Sequence, residues 1–102
     1  MSLLNALQDT DQFISFCTQF EGVTLVTDAR KAPYRLEVVP EGLVFIPAST
    51  GKRRLHSKRY IRLVHDRYAL TKSFDRGKYS EFTVMSSYHL PLLRRYVNSI
   101  SS

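Results

Sequence analysis

The residues best suited to chemistry are cations, and they are concentrated in one stretch. Gly51 to Lys72 reads GKRRLHSKRYIRLVHDRYALTK. Residues 51–79 hold ten Lys and Arg against Asp66 and Asp75, whereas residues 1–50 hold three cations against six carboxylates. A chain of net charge +6 distributed this way presents a directed basic patch, not general solubility. Each phosphate that such a patch neutralises releases counterions, so clustered Lys and Arg are the electrostatic footprint of nucleic-acid binding. The candidates are Lys52, Arg53, Arg54, Lys58, Arg59 and Arg62, with Tyr60 as a ring that could stack on a base. The expected function is non-enzymatic nucleic-acid binding, with DNA first, through a basic loop and helix at 51–72.

Two other readings compete. A basic amphipathic helix also suits an acidic protein partner or a homodimer surface, since its stems can cover apolar area. A small basic ribonuclease would need a general acid, a general base and cations to stabilise the phosphorane. His56 or His89, beside Tyr88 and Arg94, supplies the residue types for that. His65 and Asp66 are adjacent on a helix and point in different directions, so they form no dyad. Each histidine taken singly reads as a surface or packed residue, and no catalytic residue is assigned.

Other motifs are weaker. Ser49-Thr50-Gly51-Lys52 partly matches the end of a phosphate-binding loop, but the upstream Gly is missing and Arg53 follows the Lys. Arg30, Lys31 and Arg35 could read a major groove from a sheet, against which Glu37 and Glu41 argue. One Cys and three separated His have no metal-ligand spacing, and the carboxylates are scattered, so no metal or cofactor is expected. Ser87 reads as a helix cap before it reads as a nucleophile.

The elements that must position the basic stretch follow from periodicity. Phe13, Phe16, Cys17 and Phe20 form one apolar stripe, with Asp9 and Gln12 as a capping pair, which predicts a helix over 9–20. Leu3, Leu4 and Leu7 either extend it or form a packed arm. Strands are expected at 23–27, 34–39 and 43–46, with 28–33 as a loop and Pro40-Glu41-Gly42 as a tight turn. Residues 48–54 read as a loop. Ser57 then caps a helix over 58–70, with Lys58, Arg59, Arg62 and Arg67 facing outward. Residues 81–84 read as a short strand or helix lead-in, and Ser87 caps a last helix over 88–100 with the stripe Leu93, Tyr96, Val97 and Ile100. The expected fold is α+β, a three-stranded antiparallel meander with helices packed on one face, in the order α-β-β-β-α-α and as a single domain over 1–102.

The single Cys17 excludes an internal disulfide and suits a reducing cytoplasm. No signal peptide or membrane-spanning run is read. The arrangement Pro47-Ala48-Ser49-Thr50-Gly51-Lys52-x-Arg54, then a capped helix, then Asp75-Arg76-Gly77-Lys78-Tyr79 and Ser87-Tyr88, resembles small uncharacterised bacterial domains found as hypothetical proteins, some on mobile gene cassettes. The resemblance spans about residues 28–90. It implies no activity and carries over no catalytic residue.

Overall fold

Asp9 does what its position demands. Its carboxylate accepts the Gln12 backbone N–H at 3.0 Å and starts helix α2, Thr10–Cys17, which a 3-10 turn at Thr18–Phe20 closes. The leucines before it form a separate short helix, α1, Leu3–Gln8. The computed structural model describes residues 3–28, 30–80 and 85–101. The strand-or-helix expectation for 81–84 falls outside the described residues.

Strands β1 (Leu25–Val26), β2 (Pro33–Val39), β3 (Gly42–Pro47) and β4 (Arg54–Ser57) pair antiparallel in the order β1-β2-β3-β4. The fold is α+β, with four strands in the meander where three were expected. The added strand, β4, corrects the reading of 48–54 as a loop running up to a helix cap. Its sequence, Arg-Leu-His-Ser, lacks the apolar alternation that marks a strand. Its pairing is set by β3, with Leu43 opposite His56 and Phe45 opposite Arg54. Gly42 permits that approach. Its φ is +148°, and a Cβ there would stand 2.4 Å from the His56 carbonyl oxygen.

Helix α3, Lys58–Thr71, follows β4 with no linker. Ser57 holds its cap position without a side-chain cap hydrogen bond. Lys72, in the left-handed conformation at φ 53°, ends the helix by donating its N–H to the Tyr68 carbonyl. Helix α4 is Ser86–Ser101, longer than expected, so Ser87 lies inside its first turn and is not its cap.

The inner face of the sheet carries Tyr34, Leu36, Leu43, Phe45 and His56 into the core. Ala6, Leu7, Phe13, Cys17, Ile61, Val64, Leu90, Leu93 and Tyr96 close over them from the helices. The buried phenols find partners. Tyr34 donates to the Tyr88 carbonyl at 2.9 Å and Tyr96 to the Ala6 carbonyl at 3.0 Å. No helix among the described residues is long and apolar enough to cross a membrane.

Candidate functional site

The run from Lys52 to Arg62 covers the end of a loop, all of β4 and the first turns of α3. Strand alternation and helical periodicity therefore send its cations in different directions. Lys52, Arg53, Arg54, Lys58, Arg59 and Arg62 are all solvent-exposed. Three of them meet the chain's own carboxylates. Arg53 pairs with Glu37, which projects from the opposite face of the sheet to the core. Lys58 Nζ stands 3.1 Å from Asp11 on α2, and Arg62 Nε 3.4 Å from Asp66 one turn along α3. Lys58 and Arg62 line an open groove of about 620 Å³ with Asn5, Asp9 and Asp11, so they look toward the N-terminal helices. Lys52, Arg54 and Arg59 make no ion pair among the described residues.

Arg67, expected to face outward, is half-buried and donates to the Lys78 carbonyl at 2.9 Å. Tyr60 is 40 % exposed, and its ring lies nearly parallel to that of His56, 16° apart with centroids at 6.3 Å. One face of Tyr60 is thus already engaged. Of the alternative major-groove set, Arg35 shares the solvent face of β2 with Glu37, and Lys31 sits in the β1–β2 loop at φ 54°. Two cavities beside α4, of about 370 and 330 Å³, hold none of the seven candidate residues.

The feature that single-residue reading missed lies beneath this surface. His56 of β4, His65 of α3 and His89 of α4 are buried together, 1 %, 0 % and 0 % exposed. His56 Nε2 lies 2.9 Å from His89 Nδ1, and His89 Nε2 lies 3.0 Å from His65 Nε2. His65 Nδ1 ends the row, 3.1 Å from the Leu7 carbonyl of α1. Phe13 of α2 packs its edge on His65 at 4.6 Å and lies against His89 at 5.1 Å.

Burial forces these rings to stay neutral, because the charged form cannot be solvated. Desolvation lowers His56 to about 3 and His65 to about 4, and it lowers His89 well below its ordinary value. His65 adds to the repulsion felt by His56, and His56 and His65 both add to that felt by His89. Burial likewise pushes the Cys17 thiol up to about 12, which makes it an inert packed group.

The row is linear, not convergent. His89 uses opposite nitrogens toward its two neighbours at hydrogen-bond distance, which leaves no room for an ion between them. No group of three His, Cys, Asp or Glu among the described residues could hold a metal ion. Since His56 and His89 are enclosed in the core, neither ring is placed to reach a phosphodiester. Arg94, the cation considered with them, instead pairs with Asp28 at 3.0 Å and lies over the Phe74 ring.

No protein-family model, curated protein or solved structure matches the chain at a significant level.

Proposed function

We propose that the chain binds a nucleic-acid backbone, DNA first, through Lys52, Arg54 and Arg59, without catalysing a reaction. The observation that carries this reading is that these three exposed cations, before, on and after the short β4 strand, lack carboxylate partners among the described residues. Arg53, Lys58 and Arg62 form a second tier. Their ion pairs are about half exposed. Such pairs contribute at most about 1 kcal/mol, so a phosphate can compete for each cation.

The test is a duplex-DNA titration at several salt concentrations. Three phosphate contacts give a slope of log K against log salt of about −3, and recruitment of all six cations would steepen it to about −5. The combined Lys52→Ala, Arg54→Ala and Arg59→Ala variant should abolish retention at physiological salt. Absence of retention by the wild-type chain even at low salt overturns the reading.

A second reading, a homodimeric or protein-interaction module, draws on the sheet face opposite the core, which no helix covers among the described residues. Val26 and Leu55 there are 47 % and 52 % exposed, and Val39 and Ile46 are part-exposed. An antiparallel sheet usually presents polar residues on its wet face. Sedimentation decides it: a monomer at high protein concentration removes the homodimer.

A further inference from the structure

The hydrogen positions in the histidine row follow from its far end. A backbone carbonyl can only accept, so His65 carries its proton on Nδ1 and donates to Leu7. Its Nε2 is then a lone pair, and His89 must donate to it from Nε2. That leaves His89 Nδ1 as an acceptor, and His56 donates to it from Nε2. The chain runs one way, His56 to His89 to His65 to Leu7, with every ring neutral. One lone pair is left over. His56 Nδ1 is buried and has no hydrogen-bond partner among the described residues.

This arrangement limits how many protons the closed core can hold. One added proton at His56 Nδ1 can be passed along the row and leaves every contact a hydrogen bond, although it places a charge in the core. A second added proton must set two N–H groups against each other. The second and third protons therefore enter only when the row is broken.

The row joins β4, α3 and α4 to α1, and Phe13 seals it from α2. The Leu7 carbonyl and Asp66 favour a charge on His65, but desolvation outweighs them. Helix α1 carries no ionisable side chain and offers only the Leu7 carbonyl. From α2 come Phe13 and the neutral thiol of Cys17, while Asp11 is engaged with Lys58 at the surface. On α3, Asp66 and Arg62 act on His65 in opposite directions and pair with each other. From the sheet come Phe45 beside His56, and Tyr34, whose hydroxyl is donated to Tyr88. From α4, Tyr96 is donated to Ala6. The Tyr60 ring lies nearly parallel to that of His56. No carboxylate among the described residues hydrogen-bonds to any of the three rings.

We propose that the His56–His89–His65 row is an acid latch: at neutral pH it pins helix α1 to the core, and in mild acid it breaks and lets α1 and α2 lift away together. The N-terminal pair is the part that opens because it supplies the carbonyl that ends the row and the ring that lies against two of its members. The sign is fixed by linkage. Opened histidines gain protons below their ordinary value of about 6.5, whereas the closed ones resist down to about 4 for His65 and about 3 for His56. The latch is therefore fully closed above about pH 6.5 and weakens as pH falls through the window down to about 4. Three protons taken up on opening raise the opening constant toward about a thousandfold per pH unit within that window.

Hydrogen–deuterium exchange of the whole chain from pH 7.5 to 5, corrected for the intrinsic pH dependence of exchange, tests this. The range lies above the ordinary titration of the carboxylates. The expected result is loss of protection in residues 3–17 before the sheet, with a proton dependence near three. The His65→Gln variant keeps an amide donor and acceptor but cannot titrate, so its dependence should fall to about a hundredfold per pH unit. Should that variant not fold, nitrogen chemical shifts of the wild-type rings decide the same point. They should show Nε2–H on His56 and His89 and Nδ1–H on His65 at pH 7.5, and loss of that pattern together with the protection of residues 3–17. Protection of 3–17 that persists to pH 5, a dependence below one proton, or opening that starts in β2 and β3 overturns the latch.

Discussion

The cation surface and the histidine row are two polar systems built from overlapping sequence, and they obey opposite economics. Arg54 and His56 lie two residues apart on one strand, yet Arg54 is exposed and His56 is buried. At the surface a charge keeps its water, and pairing it with a carboxylate changes the free energy little. In the core a neutral ring loses its water, and every unmade hydrogen bond is felt in full. On the proposed reading the surface governs association with a polyanion, and the buried row governs whether the domain stays closed.

The widest test of that contrast is His89→Ala. It strands the His56 Nε2–H and the His65 Nε2 lone pair together and leaves a cavity against Phe13. Destabilisation of roughly 3–5 kcal/mol is expected, a large share of the 5–15 kcal/mol typical of a domain. Urea unfolding at pH 7.5 measures it. A loss under about 1 kcal/mol would mean that the row is not held as described.

Gly42→Ala probes how the strand that carries His56 is held, and a smaller effect is expected. The added methyl meets the His56 carbonyl at 2.4 Å in a backbone region that side chains avoid. Relaxation of β4 can relieve part of that clash, so roughly 2–3 kcal/mol is expected by the same measurement. A near-neutral result would show that β4 moves freely away from β3, and would weaken the claim that His56 is fixed by its strand.

Much of the frame was legible in the sequence because it is local. The Asp9 cap and the Pro40–Gly42 turn each lie within a few residues of their partners. What was missed depends on distant partners. β4 has no apolar alternation, since its inward residue is a histidine whose burial is decided by α3 and α4. The two hydrogen-bonded histidine pairs are 33 and 24 residues apart along the chain, so no motif joins them. A signal was nevertheless present. His65 stands four residues after Ile61 and His89 four before Leu93, each within an apolar stripe of its helix. A polar residue on a core-facing stripe needs a partner, and three of them in one small chain can serve one another. The carboxylate partners of the cations were hidden for the same reason. Only Arg62 and Asp66 were near enough in sequence to be paired in advance.

The smallest expected effect falls on the surface. Lys58→Ala removes the contact with Asp11, an ion pair whose two side chains are 49 % and 80 % exposed. Both ends recover water, and Lys58 also gives up the entropy cost of holding a long side chain in place. A change of about 0.5 kcal/mol or less in unfolding free energy is expected. DNA retention should fall only modestly, because Lys58 belongs to the paired tier of cations. The same variant also bears on the latch, since Lys58 is a link from α3 to α2 that does not involve the histidines. If the row alone fixes the acid response, the pH at which residues 3–17 lose protection stays where it is in the wild type. A displacement of half a pH unit or more would instead assign the hold on the N-terminal helices to the surface pair, and would reverse the ranking of the two regions.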